Sequence, residues 1–126
     1  METLRMLPGT YAICRLDPNR PPPAYPPPGP DLVSVTFTQR EISVVCPEEQ
    51  TPSGARTEAG WRVLEVAGPL DLALTGVMAS LIGPLSDAGV SVFAVSTYDT
   101  DFLLVRGEQV GHAARCLRHA GHRVVT

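Results

Sequence analysis

The chain has 126 residues, 44% of them hydrophobic and 18% charged, with a formal net charge of -3. This composition supports a packed core and argues against global disorder, and the length allows one compact domain or two small fused halves. The negative balance argues against broad electrostatic binding to nucleic acid or to an anionic membrane, which needs a basic face.

Thr10 to Leu16 reads as a first strand, apolar on both faces and ended by Asp17-Pro18. Residues 21–30 follow, and seven of these ten are proline, so the stretch forms neither helix nor central strand. Polyproline II or an irregular loop is expected there. Tyr25 could anchor a docking partner, but no basic residue flanks the prolines to orient one, and a stiff connector is the reading preferred. Leu32 to Phe37 and Glu41 to Cys46 are two further strands, joined by a short link and therefore expected to pair antiparallel. Pro47 stops the second. Glu48 and Glu49, adjacent in sequence, are read as solvated rather than as an acid/base pair.

Gly60 to Ala67 is the next strand, and Gly68-Pro69 breaks it. A helix follows, with Asp71 or Thr75 expected as its N-cap. Leu74, Val77, Met78, Leu81, Ile82 and Leu85 recur at helical spacing as a core-facing stripe. Pro84 falls inside that pattern and is expected to kink or split the helix near Ser80 to Gly83. Gly89 closes it. Residues 90–106 then read as a β-hairpin, turning through Tyr98, Asp99 and Thr100. Neither face of its first strand is plainly polar, so both are expected to be covered, one by helices and the other by a further layer of this chain or of a partner. Val110, Ala113, Ala114, Leu117 and Ala120 mark a second amphipathic helix ended by Gly121, and His122 to Val125 a last short strand.

Residues 60–126 thus run β-α-β-β-α-β, the ferredoxin-like α+β unit with two helices on one face of an antiparallel sheet. Residues 1–59 offer strands in a related order, with the proline stretch, 17–31, where a first helix would stand. They are read as a degenerate copy of the same unit.

No apolar run approaches the roughly 20 residues of a spanning helix, and Met1 to Pro8 has no apolar segment ending in a cleavage site. A cytoplasmic location without membrane attachment is expected. Cys14, Cys46 and Cys116 are odd in number and widely spaced, which fits reduced thiols better than disulfides.

Few residues suggest chemistry. His112, Cys116 and His119 share one helical stripe at metal-ligand spacing, but Arg115 and Arg118 beside them oppose a cation, and a polar outer face is preferred. There is no G-x-S-x-G elbow, phosphate loop or dinucleotide fingerprint, so neither an enzyme nor a cofactor is expected. Asp99 and Asp101 flank the hairpin turn and could form an acidic clamp, or only shape the turn. The loop Gly68 to Gly76 enters a helix, whose free N–H groups welcome a carboxylate. A zwitterion suits that place, unless Gly76 only permits close packing and Asp71 only caps.

Leu7 to Leu16, Ile42 to Glu49, Gly60-Trp-Arg, Ala67 to Asp71, Leu74 to Val77 and Gly89 to Tyr98 together resemble the small bacterial ACT-domain proteins related to the CASTOR arginine sensors. The resemblance implies a βαββαβ fold and an amino-acid ligand between ACT units. It implies ligand contacts at Ser91 and Val92, with the helix entrance at Thr75 and Gly76 on the opposing unit, and it assigns no acidic partner for a guanidinium; Asp71 is added as a candidate contact from the loop that enters the helix. The sensors carry four ACT units in one chain, whereas this chain has at most two. The opposing unit therefore comes from a second copy, and the resemblance implies a homodimer. The expected function is non-catalytic, regulatory amino-acid binding. The alternative is a structural dimerisation module with no ligand.

Overall fold

The computed structural model describes residues 1–25, 29–71 and 73–126, so Pro26, Pro27 and Pro28 of the proline stretch and Leu72 lie outside the described residues. The chain divides into two compact units, one of residues 1–8 with 62–126 and one of residues 9–61.

The smaller unit is a sheet. Its strands are β2 (Tyr11–Leu16), β3 (Ser34–Phe37), β4 (Ile42–Pro47) and the first half of β5 (Arg56–Val66). They lie in the order β3-β4-β2-β5, each neighbour antiparallel. The short link between β3 and β4 gives the antiparallel pair expected of it, with Phe37 opposite Ile42. Alternate residues of β2 and β4 point to one face, where Ala12, Cys14, Leu16, Ile42, Val44 and Cys46 form a buried cluster. Tyr25, from the proline stretch, packs on this cluster, and its hydroxyl donates to the Gln50 carbonyl at 3.2 Å. Burial pushes the Cys46 thiol up to about 11, so this thiol is held protonated.

The register of β2 against β5 shifts by one residue between Tyr11 and Ile13. Gly60 sits at this bulge with φ of 82°, a conformation that costs glycine nothing. Its N–H donates to Glu48 Oε1 at 2.8 Å, and the Thr10 hydroxyl donates to Glu48 Oε2. These two bonds hold the Glu48 carboxyl below the ordinary carboxylate range. Glu48 is therefore more than a solvated side chain: it ties a short 3-10 turn, Glu48–Gln50, to the bulge.

The larger unit holds β1 (Thr3–Met6), the second half of β5, α1 (Val77–Asp87), β6 (Val92–Ser96), β7 (Asp101–Arg106), α2 (Val110–His119) and β8 (Arg123–Val125). From β5 onward this is the expected βαββαβ sequence. Strand β1 was not anticipated. It lies between β5, antiparallel with Leu4 opposite Val66, and β8, parallel with Leu4 opposite Val124. On the other side β5 pairs with β7, and β7 with β6, leaving β6 at the edge.

Leu4, Leu64, Val66, Leu103, Val105 and Val124 on the sheet meet Leu81 and Leu85 of α1 and Ala113, Ala114 and Leu117 of α2 in one core. Burying apolar surface at about 25 cal/mol per Å² makes this the main cohesive term of the unit. The hairpin is covered unevenly. Phe102 to Val105 of β7 are buried on both faces, as expected. Ala94 and Ser96 of β6 are exposed, and Phe93 and Val95 half-buried, so the described residues do not fully cover the first strand.

Helix α1 departs from expectation at its start. It begins at Gly76, with φ of 80° and no side-chain cap. Asp71 instead closes a turn, its Oδ1 accepting the Ala73 N–H at 2.9 Å, and Thr75 does not cap. Leu74 falls outside the helix and is exposed. Pro84 does not split the helix, which is continuous over Val77–Asp87. A proline at 84 withdraws the N–H that the Ser80 carbonyl would otherwise accept. His122 Nε2, 3.0 Å away, takes that carbonyl instead. The C-terminus follows the expected glycine pattern: Gly89 has φ of 75°, and the Val90 N–H returns to the Leu85 carbonyl at 2.9 Å.

Candidate ligand-binding site

The loop from β5 to α1 and the turn from β6 to β7 come together at one end of the larger unit. Gly68 makes this possible: a Cβ there would lie 2.9 Å from the Asp99 carbonyl oxygen. The Leu70 N–H donates to that same carbonyl at 2.7 Å, and the Thr100 hydroxyl to the Val66 carbonyl at 2.5 Å. The turn itself is closed by the Thr97 N–H on the Thr100 carbonyl, 2.8 Å, and the Ser96 hydroxyl on Asp101 Oδ1, 2.7 Å.

Between loop and turn lies a cleft of about 250 Å³, with Asp71 and Gly76 on one side and Tyr98, Asp99 and Asp101 on the other. This is below the roughly 300–1,000 Å³ of drug-sized pockets, and suits a small metabolite. Two opposite electrostatic features meet in it. The first intrahelical bond of α1 runs from the Ser80 N–H to the Gly76 carbonyl, at 2.9 Å. The N–H groups of Val77, Met78 and Ala79 precede it at the positive end of the helix dipole. The same cleft is lined by Asp71 and Asp101, whose carboxylate oxygens are only partly engaged by Ala73 and Ser96. Helix N–H groups suit an incoming carboxylate, and the aspartates suit an ammonium or guanidinium. Tyr98 also lines the cleft and is 80% exposed.

The residues proposed from sequence divide between the two ends of β6. Asp71 and Gly76 line the cleft. Thr75 is exposed in the same loop, next to the cleft. Ser91 is exposed just before β6, and Val92 is its first residue, paired with Val105. The cleft lies at the other end, where Ser96 pairs with Asp101. Four residue steps at about 3.3 Å separate Val92 from Ser96, roughly 13 Å. One copy of the chain therefore does not bring Ser91 and Val92 to the cleft. Sequence reasoning named Asp99 and Asp101 as a separate clamp and did not join them to Asp71. It also passed over Ser96, Thr97, Tyr98 and Thr100 as site residues. The hydroxyl-rich turn was their only sequence signal.

His112, Cys116 and His119 border a different, shallower groove of about 470 Å³, together with Arg115, Pro84 and Asp87. His112 approaches the Cys116 sulfur at 3.8 Å. Among the described residues no group of three or more histidine, cysteine or acidic side chains could hold a metal ion.

An ACT-domain family model matches residues 56–119, and a second model, of an N-terminal domain, matches residues 9–54. Over 85 residues the chain is 33% identical to human CASTOR3P, covering 57% of this chain and 52% of that protein. Over 58 residues it is 43% identical to the Bos taurus cytosolic arginine sensor for mTORC1 subunit 1, covering 42% of this chain and 18% of the sensor. The chain thus spans about half of one curated relative and under a fifth of the other. The crystal structure of protein Atu0741 from Agrobacterium tumefaciens superposes with a TM-score of 0.89 at 38% identity, over 98% of this chain and 92% of that one. With a matched region reaching over half its length and the βαββαβ order in place, the chain belongs to the ACT-domain family and is related to the CASTOR proteins.

Proposed function

We propose that the protein is a non-catalytic, cytoplasmic regulator that binds an amino acid between two copies of itself. The observation that carries this reading is the cleft at the uncapped start of α1, where helix N–H groups and aspartates stand ready for the two ends of a zwitterion. The name of the bovine relative, an arginine sensor, supports an amino acid as the ligand class.

The edge strand supports the second copy. Among the described residues strand β6 pairs with β7 alone, leaving the backbone groups of its other side without a strand partner. Two β6 strands pairing antiparallel about a two-fold axis set the first residue of each beside the last of the other. Ser91 and Val92 of one copy then reach the partner's cleft, beside its Gly76 and Asp71. The five predicted contacts, split in one chain, would be gathered in the pair. Pairing would also cover the half-buried Phe93 and Val95. Ligand that bridges the copies favours the paired arrangement, which is the regulatory step.

The test is thermal unfolding of the whole chain against each of the twenty amino acids. A ligand at about 100 times its dissociation constant stabilises by roughly 2.7 kcal/mol. A rise with one or a few amino acids, lost in Ser91→Trp, is the expected result. A flat panel on a folded dimer would favour the structural dimerisation module instead.

A further inference from the structure

We propose that His122 is a proton-operated latch on the N-terminal strand. This does not depend on the amino-acid reading. His122 is 8% exposed, and its ring meets backbone groups at both nitrogens. Nδ1 accepts the Glu2 N–H at 3.0 Å. An amide N–H only donates, so Nδ1 carries no proton, and the ring proton is on Nε2. From there it donates to the Ser80 carbonyl at 3.0 Å, the acceptor that Pro84 leaves without a helical donor.

A second proton can enter only at Nδ1. It turns the acceptor into a donor facing another donor, and the Glu2 N–H loses its partner. The Ser80 bond survives, because Nε2 keeps its proton. The effect therefore falls on the N-terminal segment and not on α1.

The position magnifies it. The carbonyl of Glu2 accepts the Arg123 N–H at 2.9 Å, so the same residue starts the pairing of β1 with β8. Strand β8 is held in the sheet through β1, and β1 stands between β8 and β5. Charged groups on the surrounding elements offer little compensation. Arg5 is paired with Glu65 at 2.9 Å, and Arg118 of α2 donates to the Val124 carbonyl at 2.9 Å. The α-amino group, Arg123, and Arg115, His112 and His119 of α2 add positive or potentially positive charge, and Cys116 is a thiol. Glu2 on the N-terminal segment and Asp87 on α1 are the carboxylates, but both ring nitrogens are already committed to backbone.

The test is nuclear magnetic resonance of the full chain, following the ring nitrogens of His122 and the exchange of the Glu2 and Arg123 amides across pH. The expected ring is the neutral Nε2–H form. As it takes its second proton, protection of the Glu2 amide falls about tenfold per pH unit relative to intrinsic exchange, with the ring's own midpoint. The Arg123 amide follows. Glu2→Pro removes the donor and leaves the histidine in place; there, Arg123 exchange no longer tracks the ring. An Nδ1–H tautomer, or a Glu2 amide that stays protected while the ring titrates, overturns the proposal. So does Arg123 exchange that still tracks the ring in Glu2→Pro.

Discussion

His122 supplies to α1 the hydrogen bond that Pro84 withholds: its Nε2 lies 3.0 Å from the carbonyl of Ser80, four residues before the proline. A helix-interior proline costs roughly 3 kcal/mol where nothing compensates. Here a side chain from beyond α2 compensates, and its other nitrogen holds Glu2. The two residues are thus energetically coupled. His122→Phe leaves a carbonyl and an amide unpaired and is expected to cost about 2–4 kcal/mol in urea unfolding. In a Pro84→Ala background the alanine N–H reaches Ser80, and the same substitution should cost about 1 kcal/mol less. Equal costs in the two backgrounds would mean the histidine does not replace the missing donor.

Glu48 adds one carboxylate's contribution to acid stability. Its folded value lies below the ordinary 4.5, because Thr10 and Gly60 donate to the ionised form. A carboxyl depressed in the folded state contributes stability that is present above its unfolded value. That contribution is lost as pH falls from 4.5 through the lower folded value. Glu48→Gln should flatten this part of the curve of melting temperature against pH. An acid limb of unchanged slope would show that Glu48 plays no part in it.

Much of the fold was legible from local pattern. The repeat of Val110, Ala113, Ala114, Leu117 and Ala120 marked α2; Ala113, Ala114 and Leu117 are buried, whereas Ala120 is exposed just past the helix end. The apolar run around Phe102 to Val105 marked a strand covered on both sides. Strand β1 was not legible, because Thr3–Met6 is four residues long and its partners lie some sixty and one hundred and twenty positions away. The start of α1 was misjudged because a left-handed glycine, not a polar side chain, begins it. Pro84 looked like a break because its remedy, His122, comes from beyond the second helix. In the site, Asp71 and Gly76 were legible from the helix entrance, whereas Tyr98 and the turn's hydroxyls required knowing that Gly68 lets two loops touch.

Gly68 sets the walls of the cleft. In Gly68→Ala the new methyl meets the Asp99 carbonyl oxygen at 2.9 Å and Thr100 Cβ at 3.2 Å, and backbone must move. Overpacking of this kind costs about 1–3 kcal/mol. The melting temperature should fall, and any ligand response should fall with it. A variant as stable and responsive as the parent would show that loop and turn need not approach so closely.

The core beneath the helices carries the larger unit. Leu117 is fully buried among Leu81, Leu85 and the sheet. Leu117→Ala should cost about 2–5 kcal/mol in denaturant unfolding, the transfer and cavity terms adding. A cost below about 1 kcal/mol would mean the helix is not packed as described.

The proposed shared site is tested most directly by complementation. Ser91→Trp blocks the strand start of each copy, and Asp71→Arg reverses a charge in each cleft. Binding of a pool of labelled amino acids is measured by equilibrium dialysis for each variant alone and for the two mixed after subunit exchange, with folding checked by circular dichroism. Each variant alone should fail to bind. Random exchange makes half the dimers mixed, each with one intact site, so about a quarter of the parent's sites should return. Two folded but silent variants that stay silent on mixing would contradict a site built from both copies, and full binding by either variant alone would contradict the part assigned to its residue.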